Sequence, residues 1–470
     1  MMEGSGAVEI VGVDLDGDGV GEVDGRPVHV PFTIPGERAE VVLRPGRDGG
    51  WTGEVVRLLT PSPHRVPARC RHFGSCGGCS WQHIAYPEQL RLKQRLLQTL
   101  LDRALGRRSP AVLATLGTPE SPGGAANGPD AAPWGYRDKV HFVFGRGGRR
   151  ASLVMGHYRR ASRTVLPIEE CPVHAEAGNR AAFALRDALV GARVPASTPD
   201  GASGVARHAV VRVTEAGDLL TTLVVTENVK SLRRVTAEFE RWLGEPPGGR
   251  APGHAGFHLN IHDRPGPFLF GRETRRLFGE DQAREAVAGV TYLISPTSFF
   301  QTNARAAGVL VRQVVSALPH TAARVLDLYA GVGLFALPLA RRGHYVVAVE
   351  ENREAVASAA AAMGVNRVAA RACRLIAARV EDAAGRVGDG PWDAVVLDPP
   401  RQGCAPAVLD WIVATLRPSH VVYVSCNPEA LARDLASVPP AAYAVGPVQP
   451  VDMFPHTAHL EAVVVLNRTR

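Results

Sequence analysis

The run Val424-Ser425-Cys426-Asn427-Pro428 places a cysteine where an apolar stretch, HVVYV, gives way to turn residues. Most cysteines in apolar surroundings are inert core residues, and Cys373 and Cys404 read that way. Cys426 differs, because Ser, Asn and Pro set it in a turn at the end of a strand, where reacting groups collect. A thiolate there can attack an electron-poor carbon, and such covalent chemistry also needs a base. Asp452-Met-Phe-Pro-His456-Thr-Ala-His459-Leu-Glu461 supplies carboxylates and histidines just ahead of the apolar strand AVVVLN.

A second constellation is Asp327-Leu-Tyr329-Ala-Gly331-Val-Gly333-Leu, which follows an apolar strand. Glycines there let the backbone turn sharply and approach a ligand. Glu350 ends the next strand, 17 residues after Gly333, and its carboxylate can accept from both hydroxyls of a ribose. Gly331-x-Gly333-x-x-Ala336 alone fits a dinucleotide loop as well as a methyl-donor loop. Asp327 ahead of it, with the motifs that follow, favours S-adenosylmethionine over a nicotinamide cofactor.

A third group is Cys70-x5-Cys76-Gly-Gly-Cys79 with the distant Cys171. Four thiolates suit zinc or an iron–sulfur cluster, and spacing alone leaves both open. Seven cysteines, an odd number, argue against a disulfide framework.

These groups need elements to hold them. At 470 residues the chain has room for two to four domains of ~150 residues. No run of 18 apolar residues reads as a membrane span, and MMEGSGAVEI does not read as a signal peptide, so a cytoplasmic protein is expected. The net charge of +7 points weakly to a polyanion. Only Lys93, Lys139 and Lys230 among the 53 basic residues are lysine.

Residues 7–60 alternate short apolar runs with glycine turns, which predicts a small β-barrel over 1–60. Within it, Asp14-Leu-Asp16-Gly-Asp18 imitates a calcium loop, but Gly25 stands where the loop's glutamate belongs, so a polar β-turn is expected. Residues 61–290 predict an α+β domain, with a helix over PEQLRLKQRLLQTLLDRAL and a flexible insertion at 117–133 rich in Gly, Pro and Ala. From 291 to 470 apolar strands alternate with helices, which predicts a parallel, doubly wound sheet. The fold class is multidomain α/β.

With these motifs in view, the last 180 residues resemble the bacterial RNA uracil-5 methyltransferases. SPTSFFQTN (295–303), DLYAGVGLF (327–335), DPPRQG (398–403), VSCNP (424–428) and DMFPHTAHLE (452–461) carry the resemblance in the family's order. It implies a Rossmann-like methyltransferase domain, Cys426 as nucleophile toward carbon 6 of uracil, and Glu461 as the base that takes the carbon-5 proton. It also implies that Gln301, Tyr329, Glu350 and Asp398 hold S-adenosylmethionine alongside Gly331 and Gly333. Leu334 departs from the Asn that many members carry there. RCRHFGSCGGCSWQH resembles the cluster segment of the ribosomal RNA members, which implies a [4Fe-4S] cluster on Cys70, Cys76, Cys79 and Cys171. The barrel resembles the OB-like TRAM module, with Trp81, Tyr86, Tyr136 and Arg137 as candidate RNA contacts. The implied substrate is 23S ribosomal RNA, with transfer RNA as the alternative, and the expected form is a monomer. A non-catalytic iron–sulfur RNA-binding factor is the competing class, and intact Cys426 and Glu461 speak against it.

Overall fold

The structure is a computed structural model that describes residues 4–46, 49–119, 132–148, 153–245, 253–264, 269–319, 323–388 and 390–469. Of the expected flexible insertion, residues 120–131 lie outside the described residues.

The first six strands, β1 (Gly4–Glu9), β2 (Gly12–Val13), β3 (Gly19–Val23), β4 (Arg26–Val30), β5 (Arg38–Pro45) and β6 (Trp51–Thr60), form one sheet in the order β1-β5-β6-β4-β3-β2. β1 pairs with β5, and its continuation β2 pairs with β3, so the sheet curls closed. Alternate residues, among them Val8, Val28, Val30, Val41 and Leu43, fill the interior. Asp24 and Gly25 both take positive φ, which fits a two-residue turn to the twist of β3 and β4. The acidic stretch is a turn: Asp14 accepts from the Asp18 amide and contacts His29, and Asp18 pairs with Arg160 through both oxygens at 2.6 Å.

The central sheet runs β13-β12-β11-β10-β7-β8-β9. Its strands are β7 (Lys139–Gly145), β8 (Val154–Tyr158), β9 (Val165–Pro167), β10 (Ala206–Val213), β11 (Leu219–Val225), β12 (Ala255–Ile261) and β13 (Glu273–Gly279). The long helix α1 (Tyr86–Leu105) precedes this sheet in the chain but packs elsewhere. Leu97, Leu101 and Leu105 join the core of the C-terminal sheet with Leu431 and Leu435. Helices α2 (Glu176–Gly191) and α3 (Leu232–Gly244) share the central sheet's core instead.

A hairpin, β14 (Ala283–Val287) and β15 (Val290–Ile294), leads into α4 (Ala304–Ser316), and Val287, Val290, Tyr292 and Ile294 join the C-terminal core. The expected division at residue 291 therefore runs through the hairpin. The C-terminal sheet is β18-β17-β16-β19-β20-β22-β21. β16 (Arg324–Leu328), β17 (Tyr345–Glu350), β18 (Cys373–Ala377), β19 (Ala394–Leu397) and β20 (His420–Ser425) are parallel. β22 (Glu461–Arg468) runs antiparallel between β20 and β21 (Tyr443–Val451), so the sheet is mixed rather than parallel throughout. The reason is the connection: β21 returns to β22 through a loop with no crossover helix, and such a return gives an antiparallel pair.

Candidate active site

Five neighbouring strands bring their chemistry to one edge of the C-terminal sheet. Tyr329 follows β16, Glu350 ends β17, Asp398 follows β19 and Cys426 follows β20. Glu461 opens β22, and because that strand runs the other way its first residue lies at the same edge. The chain winds in opposite senses from β16 to β17 and from β16 to β19, so a crevice opens between β16 and β19. The register Ser425↔Ala462 carries Cys426 and Glu461 to facing positions.

The glycine loop is built for a ligand. Tyr329, Gly331 and Gly333 take φ of 62°, 55° and 83°. A Cβ on Gly331 would meet nothing within 4 Å, so its side toward the crevice is open. Glu350 holds the loop: Oε2 accepts from the Gly331 amide at 2.9 Å and Oε1 from Asn352 at 2.8 Å. Each oxygen keeps a lone pair for a ribose hydroxyl. Gln301 is buried in the segment before α4, whose backbone is gripped from the central sheet. Arg212 donates to the carbonyls of Phe300 and Gln301, and Asp138 accepts from the Ala304 amide at 2.6 Å. Leu334 is buried in the core, so the departure at this position is a packing choice. Gly331→Ala should weaken S-adenosylmethionine binding at least tenfold, about 1.4 kcal/mol, because an L side chain at positive φ is strained by ~1–2 kcal/mol and its methyl fills the opening. Calorimetric titration checks this, and an unchanged affinity would remove the loop from the cofactor site.

The electrostatics suit a resting enzyme. Burial pushes the Cys426 thiol up to about 12, with the Glu461 and Asp398 carboxyls adding to the rise and Arg401 opposing it. Burial pushes Asp398 up to about 7. Glu461 is raised well above the usual carboxylate range, by burial first and then by Asp398. Its Oε2 has no hydrogen-bond partner among the described residues. A thiol and a protonated carboxyl therefore wait side by side for a substrate that changes their surroundings.

The loop from Asp452 to Leu460 is held from outside its own sheet, and sequence reasoning missed the residues that do it. Lys93 of α1, fully buried, donates to Asp452 Oδ1 (2.5 Å), to the Phe454 carbonyl (3.1 Å) and to the His459 carbonyl (2.7 Å). Asn303 donates to the Met453 carbonyl, and Tyr136 to that of Pro455. The amides of Ser80 and Trp81 both point to the His456 carbonyl. The His456 ring bonds Gln89 at Nδ1 and the Pro133 carbonyl at Nε2 and is stacked on Trp134. Burial pulls its pKa down to about 3, so His456 is a neutral structural ring rather than a base. Trp81, Tyr86 and Tyr136 are buried in this junction and are not the RNA contacts expected of them. The one available signal was Lys93 itself, one of three lysines in a chain that otherwise uses arginine.

Cys70, Cys76, Cys79 and Cys171 line a single cavity of about 460 Å³ under the ends of β7 and β8. Among the described residues no three His, Cys, Asp or Glu side chains stand arranged around a metal ion. The thiols are nonetheless close enough to raise one another: burial and neighbouring thiols push Cys79 up to about 11 and Cys171 up to about 12. Four part-buried thiols facing one space fit a positively charged iron centre, which would reverse that rise.

No helix among the described residues is long and apolar enough to cross a membrane. The tRNA (uracil-5-)-methyltransferase family matches residues 280–469. An uncharacterised RNA methyltransferase of Gloeobacter violaceus is 34% identical over 466 residues, 98% of this chain and 96% of its own. One from Thermosynechococcus vestitus is 35% identical over 455 residues, covering 96% and 95%. The crystal structure of the Pyrococcus abyssi tRNA (uracil-54, C5)-methyltransferase with S-adenosyl-L-homocysteine superposes with a TM-score of 0.72 at 25% identity, over 98% of this chain and 99% of that one. The chain belongs to the RNA uracil-5 methyltransferases and is an S-adenosylmethionine-dependent RNA (uracil-5-)-methyltransferase.

Proposed function

We propose that the protein methylates carbon 5 of a uridine in 23S ribosomal RNA through a covalent bond between Cys426 and carbon 6 of the ring. The observation that carries the reading is the facing pair Cys426 and Glu461 at the edge that holds the glycine loop. Cys426 loses its proton to solvent water and its sulfur bonds to carbon 6, and the 5,6 π electrons move out toward carbon 5 and the carbon-4 oxygen as an enolate. Bound S-adenosylmethionine supplies the methyl group that carbon 5 takes, and S-adenosylhomocysteine leaves. Glu461, once ionised in the substrate complex, then accepts the carbon-5 proton, and the thiolate departs as the 5,6 double bond re-forms. Gln301, Tyr329, Gly331, Gly333, Glu350 and Asp398 would hold the methyl donor. The uracil must leave its stack to reach Cys426, and Phe299, 69% exposed two residues before Gln301, offers it an aromatic face.

The closed sheet of residues 4–60 serves as a TRAM-like RNA-binding barrel. The four-cysteine cavity holds a [4Fe-4S] cluster on Cys70, Cys76, Cys79 and Cys171. The cavity offers one thiolate for each of the four irons, the ligand set that such a cluster takes. Its task is structural, since uracil methylation transfers no electrons. We place the boundary of the catalytic domain near residue 280, ahead of the hairpin whose side chains enter its core.

One observation favours transfer RNA instead: the Pyrococcus transfer RNA enzyme matches along its whole length. Ribosomal and transfer RNA carrying 5-fluorouracil decide between them. Fluorine cannot leave carbon 5 as a proton does, so anaerobically purified protein with S-adenosylmethionine should stay bound to one of the two RNAs on a denaturing gel, and Cys426→Ala should not. No adduct with either RNA, from protein that binds the cofactor, would refute the covalent route.

A further inference from the structure

Away from the strand-end crevice the central sheet carries a larger concavity of about 1050 Å³, lined by His141, Arg146, Arg163, Arg207 and His208 among others. That exceeds the ~300–1,000 Å³ of typical small-ligand pockets. Arg207 is only 8% exposed, and its Nη1 donates to the carbonyls of His262 (2.9 Å) and Arg264 (3.2 Å). Among the described residues no carboxylate pairs with it. A buried cation without a counter-charge is costly, and an anion entering the cleft would relieve that cost.

The rim adds to the same field. Arg146 reaches Ser203 Oγ at 2.5 Å, and Arg163 is exposed with no partner among the described residues. Among the described residues Asp200 is the one acidic residue lining the cleft, against three arginines, and its carboxylate accepts from the Ala202 amide. In the floor the rings of His141 and His208 meet edge to face at 4.5 Å. Burial keeps His208 down at about 4, so it presents a neutral ring, and planar rings beside guanidinium groups are surfaces on which unpaired bases stack.

The cleft also lies at a definite distance from the chemistry. β7 begins next to Asp138, whose amide donates to the Thr302 carbonyl beside Gln301, and it ends at Gly145 by the cleft. The cleft is lined along β7 from His141 to Gly145, so three to seven residues of strand at ~3.3 Å each put it roughly 10–20 Å from Asp138. Stacked nucleotides rise about 3.4 Å per step, so about three to six of them cover that span.

We propose that this cleft binds an unpaired stretch of the substrate RNA about three to six nucleotides from the modified uridine, with Arg207 and Arg163 on a phosphodiester and the His141–His208 pair against a base. The proposal rests on RNA being the substrate, and its test separates the two. Fluorescence-anisotropy binding and methylation kinetics would compare wild type with Arg146→Ala/Arg163→Ala, whose side chains are on the surface and not needed for folding. The probes are a long transcript carrying the target uridine and a fragment trimmed to the nucleotides flanking it. On the long transcript the variant should bind about tenfold more weakly, with KM raised, kcat unchanged and the salt slope reduced by about one to two. On the short fragment it should equal wild type. Equal binding and salt slope on the long transcript would overturn the cleft, as would equal losses on both RNAs. Wild-type protein that binds neither RNA would overturn it together with the RNA reading, whereas wild-type protein that binds both but methylates neither would overturn only the reaction.

Discussion

Glu461→Gln is expected to methylate each RNA molecule once and then stop. Glutamine keeps the shape of the side chain but cannot accept the carbon-5 proton, so the thioether from Cys426 to carbon 6 has no route to eliminate. Turnover should fall by ~10²–10⁴-fold, the usual contribution of a positioned base. A stable protein–RNA band should then appear on a denaturing gel with ordinary uridine, not only with its fluorinated analogue, and radiolabelled methyl should travel with it. The wild-type rate should depend on pH in a definite direction. Burial raises Asp398 to about 7, and burial together with the Asp398 carboxyl raises Glu461 well above the usual carboxylate range, so Glu461 leans toward the protonated form at acidic and neutral pH. A base works only when ionised. Turnover therefore climbs as pH rises, and the climb is shallower in Glu461→Gln, where Cys426 alone is left to ionise. A variant that turns over freely, or a wild-type rate that falls with rising pH, would assign the proton to another group.

Lys93→Met should destabilise the fold by ~3–5 kcal/mol, because it strands the Asp452 carboxylate in a dry site, leaves the His459 carbonyl without its donor and leaves that of Phe454 with the Thr457 hydroxyl alone. Urea unfolding followed by circular dichroism reads the loss. The double variant Lys93→Met/Asp452→Leu should recover much of it, since apolar groups of similar volume can replace a buried ion pair at little net cost. Activity should not recover with stability. The loop that delivers Glu461 would still lack two of its anchors, so the double variant should fold, bind S-adenosylmethionine and turn over slowly. Full activity in the double variant would reduce Lys93 to a packing role.

Parts of this design are legible in the chain and parts are not. The strands of the C-terminal sheet announce themselves as apolar runs because both faces are covered, and Cys426 stands out because turn residues surround it. β21 does not, since Gly446, Pro447 and Pro450 break the pattern, and its place at the sheet edge is what tolerates prolines. The hairpin at 283–294 carries no local mark of the domain it serves, because its side chains gain meaning only from the core they enter. The same holds for Lys93, Gln89 and Tyr136, which act on residues more than 300 positions away. The aromatic residues near the thiols looked like RNA contacts by type, and burial against the catalytic loop decided otherwise.

The position of β22 has a consequence for how the enzyme comes into being. This strand is threaded between β20 and β21, both of which precede it in the chain. Until residues 461–468 insert, β20 and β21 each expose an unpaired edge, and the sheet is an open template for other strands. Closing it needs pairing across long stretches of chain, together with Lys93 and Asn303 waiting on segments made far earlier, which is the slow kind of assembly. Glu461, the base we propose, arrives as the first residue of the closing strand. Competence to methylate and protection from aggregation are thus acquired in the same late step, and a partly folded chain has neither.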